Sequence, residues 1–169
     1  MSIVGAPLQA VTEALGEALT EAQVAAAILR TGLQPFGADA GVVTRLSADG
    51  SELEILGSVG YTDETAQAWP LIPVQAPLPI SESVRKREPL FLSGIELRRF
   101  GPVPGLTAQA VVCIPLFARG RMLGALAATF GAEREFPADE RQLLVTLGRL
   151  CSQALDRARA FERERQSRE

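Results

Sequence analysis

Residues 111–130 constrain the fold of this chain more than any other stretch. They run Val-Val-Cys-Ile-Pro-Leu-Phe-Ala-Arg-Gly-Arg-Met-Leu-Gly-Ala-Leu-Ala-Ala-Thr-Phe. Two apolar arms flank the polar break Ala118-Arg119-Gly120-Arg121, the pattern of a β-hairpin with a solvated tip. Gly120 supplies the positive φ that a tight turn needs. Pro115 has no amide to donate, so its position must face a sheet edge or a bulge. The second arm, residues 123–130, is mostly small side chains. Such a strand lets a helix lie close on it or leaves room for something else, and it predicts a strand in the middle of a sheet.

The flanking segments fit around that hairpin. Leu8, Val11, Leu15 and Leu19 stand at helical spacing after Pro7, which suits a first turn. Thr20-Glu-Ala-Gln23 has the form of a capping box, opening a second helix that carries Val24, Ala27 and Ile28 and is stopped by Gly32, Pro35 and Gly37. Residues 41–46 and 53–59 read as strands around a turn at Asp49-Gly50, a first hairpin. Between the hairpins, residues 61–110 hold Pro70, Pro73, Pro77, Pro79, Pro89, Pro102 and Pro104, seven of the eleven prolines. That density forbids long regular elements and leaves space for short helices near 63–69, 81–87 and 95–100. A long irregular insertion in a compact domain is usually functional, and this one is the candidate binding lid.

From Pro137 the pattern becomes one long helix. Asp139 and Glu140 lie at its positive end, and its apolar stripe comprises Leu143, Leu147, Leu150, Ala154, Ala158 and Phe161. Asp156 with Arg159, and Glu164 with Arg168, are spaced as helical ion pairs. No glycine, proline or cap ends this helix, and the expectation is that a longer protein continues past residue 169.

Absences narrow the chemistry. The chain of 169 residues has no histidine and no asparagine, and only two cysteines. A Ser-His-Asp or Cys-His nucleophile system, a histidine phosphoacceptor and an unaided zinc site are thereby excluded, and neither catalytic nor metal-ligating residues are expected. A net charge of −3 gives no electrostatic reason to expect nucleic acid or an anionic membrane surface. No apolar run reaches the roughly 18 residues of a membrane span. The start of the chain lacks the basic residues of a secretory signal, and the sparse cysteines suit a reducing cytoplasm.

Several local signatures, in order, resemble the GAF domain family. They are Gly37-Ala-Asp-Ala-Gly-Val-Val43 opening the first strand and Ile80-Ser-Glu-Ser-Val-Arg-Lys-Arg-Glu-Pro-Leu-Phe91 in the insertion. Val112-Cys-Ile-Pro-Leu116 and Arg121-Met-Leu-Gly124 follow in the second hairpin, and Phe136-Pro-Ala-Asp-Glu-Arg-Gln-Leu-Leu144 opens the last helix. The resemblance covers roughly residues 8–161. It implies an α+β fold with a central antiparallel sheet of about six strands. Terminal helices cover one face and the irregular lid roofs a small-molecule pocket on the other. Pocket positions implied by it are Val42, Ser58, Ile80, Ser81, Phe100, Leu106, Cys113 and Ala127, with Trp69 either lining the pocket or anchoring the lid. Arg98 and Arg99 either greet an anionic ligand or form a solvated loop edge. The expected division is a signalling helix over 1–20, the GAF-like domain over 21–161, and a charged extension over 162–169.

Departures from specialised members are equally informative. Cyclic-nucleotide binders carry an Asn-Lys pair before a Phe-x-x-x-Asp-Glu signature. Here Phe136-Pro-Ala-Asp-Glu140 is one residue short, and Ala127 stands where those members hold an acid that reads the purine. Bilin attachment through a lid cysteine and haem ligation by histidine lack their residues, so no cofactor is expected. The free methionine-sulfoxide reductases on this fold use several cysteines near the pocket, whereas Cys113 and Cys151 are few and Cys151 lies on the long helix. The resemblance therefore implies a non-enzymatic sensory domain of a bacterial signalling protein, an origin consistent with sixteen arginines against one lysine. Such a domain would form a homodimer through helices bearing Leu15, Leu143, Leu147, Ala154 and Phe161, and feed a kinase, phosphatase or cyclase. A ligand-free dimerisation module and, less favoured, a thiol reductase are the alternatives.

Overall fold

The computed structural model describes residues 5–101 and 103–168. Six strands form one antiparallel sheet in the spatial order β3-β2-β1-β6-β5-β4. The strands are β1 (Ala40–Leu46), β2 (Glu52–Val59), β3 (Leu71–Pro73), β4 (Leu90–Ser93), β5 (Ala110–Ala118) and β6 (Arg121–Phe130). The hairpin of residues 111–130 is β5–β6, and β6 lies between β5 and β1, in the middle of the sheet as expected. Arg119 and Gly120 both have positive φ, 55° and 75°, so the turn twists with its strands and the arginine shares the left-handed conformation with the glycine. Pairing of β4 with β5 stops at Leu90–Cys113, so Pro115 lies on a free edge where its missing amide costs no ladder bond.

Alternation along the strands divides the core in two. Val43, Leu126, Ala128, Val112, Ile114 and Leu116 join the cluster under the helices, whereas Val42, Ala125, Ala127, Val111 and Cys113 join a second cluster under the insertion. On the first face lie α1 (Gly5–Glu17), α2 (Glu21–Ala27) and α6 (Ala138–Arg168). Thr20 caps α2 as the sequence predicts, with Gln23 N–H donating to its hydroxyl and the Gln23 side chain accepting from the Thr20 amide. Gly32, however, does not stop the chain. A π-helical segment, Ile28–Leu33, carries on through it into a 3-10 turn, and only Gly37, in the left-handed conformation, ends the run. Gly32 is buried against Ile28 and Val11, so tertiary packing overrides its low helix propensity.

Close approach of helix to sheet rests on missing side chains. A Cβ on Gly148 of α6 would fall 2.6 Å from Ile114, and one on Gly41 would fall 2.9 Å from Leu29. Polar ties fix α6 in place. The Glu21 carboxylate accepts from Arg45 at 3.1 Å and Arg159 at 2.7 Å, joining α2, β1 and α6, and Arg159 also donates to the Leu123 carbonyl at 3.1 Å. The expected Asp156–Arg159 helical pair is therefore replaced. Asp156 instead meets Arg119 of the β5–β6 turn, because each tertiary partner is better placed than its helical neighbour. Glu164–Arg168 forms as predicted, at 3.4 Å on an exposed face. Leu15, Leu143, Leu147 and Ala154 are buried in this chain's own core and are unavailable as an intermolecular seam; of the five residues assigned to it, Phe161 alone is exposed. Among the described residues, no helix is long and apolar enough to cross a membrane.

Gly124 of β6 is the most constrained of these positions, since a Cβ there would stand 2.1 Å from the Thr44 backbone oxygen. Gly124→Ala is expected to cost about 2–3 kcal/mol of unfolding free energy. Gly16→Ala, in α1 with open space around the new methyl group, should add about 0.5–1 kcal/mol. Urea unfolding followed by circular dichroism measures both.

Candidate functional site

The insertion folds back over the second sheet face and encloses a cavity of about 550 Å³. Its floor is a row across four strands. Ser58 of β2 faces Val42 of β1, Val42 faces Ala127 of β6, and Ala127 faces Cys113 of β5. Three of the four side chains in that row, Ser58, Ala127 and Cys113, are small, and they create the depth. The roof comes from α3 (Asp63–Ala68), α4 (Pro79–Lys86), α5 (Ile95–Arg98) and the loop of residues 103–109. All three short helices lie close to their predicted positions. β3 and β4 were not expected within this stretch. They are three- and four-residue strands bordered by Pro70, Pro73 and Pro89, and they extend the sheet at both edges.

The roof is tied down largely by its own polar groups. Thr62 caps α3, and the Thr65 hydroxyl donates to the Pro104 carbonyl at 2.8 Å. Arg85 donates to the carbonyls of Val74 and Ala76, holding the end of β3 to α4. Glu82 accepts two bonds from Arg99, at 3.1 and 2.6 Å, and lies 3.5 Å from Lys86. Arg99 hydrogen bonding first, and its charge, lower the Glu82 pKa against the opposing effect of burial. A lid secured in this way can span space without filling it with side chains.

Eight of the nine sequence-derived positions line this cavity: Val42, Ser58, Trp69, Ile80, Phe100, Leu106, Cys113 and Ala127. Ser81 does not. Its hydroxyl is buried against β3 and donates to the Pro73 carbonyl at 2.8 Å, a tie between lid elements. Arg98 lines the cavity, whereas Arg99 is held by Glu82. Sequence reasoning missed Tyr61 and Thr129, whose hydroxyls meet at 3.3 Å inside the cavity, and Ile55. Ile55 and Ser58 reach the same face although three residues apart, because the β1–β2 register shifts between them. Gly57 was the available signal, a glycine inside a strand that often marks a bulge.

The lining changes character with depth. Val42, Ile72, Leu78, Ile80, Val111, Cys113 and Ala127 are buried, while Ser58, Arg98, Thr107 and Gln109 are exposed at the mouth. Such a site suits a molecule with an apolar body and a polar end. Neither thiol is activated. Burial pushes Cys113 well above the ordinary thiol range and Cys151 up to about 12, and the two belong to different faces of the sheet.

Fold and cavity together define a single antiparallel sheet with helices on one face and a lidded small-molecule-sized pocket on the other. The family model for the GAF domain matches residues 18–156, and the chain belongs to that family. No curated protein sequence matches the chain. Among solved structures it is similar to the GAF domain of an Acinetobacter phosphoenolpyruvate-protein phosphotransferase, with TM-score 0.81 and 12% identity over 96% of this chain and 99% of that one. It is also similar to the free methionine-R-sulfoxide reductase of Neisseria meningitidis, solved with its substrate, at TM-score 0.77 and 15% identity over 92% and 89%. A third is the GAF-B domain of DevS from Mycobacterium smegmatis, at TM-score 0.68 and 24% identity over 85% and 98%.

Desolvation also raises the Tyr61 phenol to about 12. An acid whose pKa is raised by folding stays protonated in the folded chain and ionises earlier in the unfolded one. Its stabilising contribution is thus complete below its unfolded pKa and is lost as pH climbs through the folded value. Tyr61 alone should leave unfolding free energy level from pH 6 to 8 and lower it from about pH 10 toward 12, by about 1.4 kcal/mol at pH 11. The two buried thiols add a fall of the same sign that begins near about pH 9. Urea titrations at stepped pH test this. In parallel, both thiols should resist a thiol reagent at neutral pH until the protein unfolds.

Proposed function

We propose that this is a sensory GAF domain of a bacterial signal-transduction protein, whose cavity binds a small molecule and whose terminal helices carry the response. The observation that carries the reading is the 550 Å³ space left between an alanine-and-cysteine sheet row and a self-supported lid. It favours ligand binding over a ligand-free module, where lid side chains would occupy that volume. Relatives of the same fold include a domain of a two-component sensor histidine kinase from Sinorhizobium meliloti and part of a methyl-accepting chemotaxis protein, which supports a signalling context.

The route outward would run through the sheet. Ligand contact at Val42 and Ala127 bears on strands whose opposite faces hold α2 and α6, and Glu21 ties both helices to β1 through Arg45 and Arg159. A ligand shifts such an arrangement only by its difference in affinity for the two states. We propose a cytoplasmic homodimer, formed through helix positions that remain exposed, such as Phe161, and feeding a kinase, phosphatase or cyclase. The thiol-reductase reading has less support, since the cavity offers one buried, protonated thiol.

Native mass spectrometry of gently purified protein, with Trp69 emission and melting temperature followed across a metabolite panel, tests the proposal. A bound small molecule, or a compound that raises the melting temperature and changes emission, is the expected result. Empty protein that responds to no compound would favour the ligand-free module. Turnover of a sulfoxide substrate, lost on replacing Cys113 and Cys151 by serine, would restore the enzyme reading.

A further inference from the structure

Charge at the cavity is one-sided. Most arginines are engaged: Arg45 and Arg159 by Glu21, Arg85 by backbone carbonyls, Arg99 by Glu82, Arg119 by Asp156 and Arg134 by Glu140. Arg87 and Arg141 lie over the rings of Phe117 and Phe91. Among the described residues, Arg98 has no recorded hydrogen bond or ion pair through its side chain, and it is the one cationic residue lining the lidded cavity. Among the described residues, no aspartate or glutamate lines that cavity. Of the acids around it, Glu82 of α4 is already paired with Arg99 and Lys86, and Glu133 stands beside Gly94 at the cavity's edge without lining it.

Position agrees with charge. Arg98 is exposed while lining the cavity, so it stands at the mouth, together with the uncharged hydrogen-bonding groups Ser58, Thr107 and Gln109. The buried lining is apolar apart from the Tyr61–Thr129 hydroxyl pair and Thr65, whose hydroxyl is taken up by the Pro104 carbonyl. A guanidinium presents a planar fork that matches a carboxylate in two parallel bonds. A phosphate dianion would call for several cations or a nest of backbone amides, and only one cation lines this cavity.

Building on the ligand-binding reading above, we infer that the cavity takes a small monocarboxylate with an apolar body. The body lies over Val42, Ala127 and Cys113, and the carboxylate meets Arg98 at the mouth. The class covers aryl and branched or medium-chain alkyl acids. It leaves out nucleotides, sugars and cations, which would place charge or many hydroxyls against the apolar floor.

The test is a matched panel, benzoate, phenylacetate, 4-methylpentanoate and octanoate, each with its primary amide and its amine, titrated calorimetrically into the full chain and into Arg98→Gln and Arg98→Lys. The acids should bind better than their amides and amines, and more weakly as salt is raised. Arg98→Gln should weaken acid binding about tenfold, and Arg98→Lys should recover part of the loss, since charge returns without the fork. Amides that bind as tightly as acids, or acids indifferent to Arg98→Gln, would overturn the ligand class while leaving a small-molecule-binding domain. No binding by acid, amide or amine, with native protein also empty, would overturn the ligand-binding reading along with it.

Discussion

A β-strand has two faces and no more, and in this molecule the alternation along β5 and β6 decides what each face does. Val111, Cys113, Ala125 and Ala127 look toward the insertion, and Val112, Ile114, Leu116, Leu126 and Ala128 look toward the helices. A register shift near the turn brings Met122 to the insertion side and Leu123 to the helix side. A slip of one residue would bring Leu126, Val112 and Ile114 under the lid and close the cavity, while leaving α6 against alanine and cysteine. Register is protected at both ends. Arg119 and Gly120 form a turn that allows one pairing, and Gly124 crosses β1 where no side chain fits.

Each face is then completed differently. The helical face is filled by close contact. Gly41 and Gly57 admit Leu29 and Ala25, and Gly148 admits Ile114, so the helices lie near the strands with little tolerance. The other face is bridged. Prolines keep the insertion from forming long elements, and its short helices are held by Thr62, Thr65, Ser81, Arg85 and the Glu82–Arg99 pair. On the sensory reading proposed above, rigid packing on one side and a spanned space on the other would let a small ligand bias the helices without entering their core.

The parts legible in the sequence were those set by local chemistry. Both central hairpins carry glycine turns between apolar runs, Thr20 and Gln23 announce their cap, and the stripe from Leu143 to Ala158 announces α6 and its buried side. What escaped was set by tertiary partners. β3 and β4 are too short and too close to proline to carry an alternation of their own, and exist because a sheet edge accepts them. The π-helical continuation through Gly32 depends on burial against Val11. Asp156 and Arg159 found partners on other elements, and the stripe assigned to a dimer seam is the chain's own core. Cavity positions on the hairpin, Cys113 and Ala127, came from the family resemblance and line the cavity, but Ser81 turned aside to Pro73, and the bulge near Gly57 brought in Ile55.

The division of faces can be put to one comparison, urea unfolding of Ala127→Phe beside Ala128→Phe. The two residues are neighbours in β6 with opposite surroundings, one above the cavity and one beneath the helices. A phenyl ring at 127 should enter open space and leave unfolding free energy within about 1 kcal/mol of the parent, while one at 128 should cost about 3 kcal/mol or more through overpacking. Equal losses at both positions, or the larger loss at 127, would contradict the account, because the space under the insertion would then already be filled.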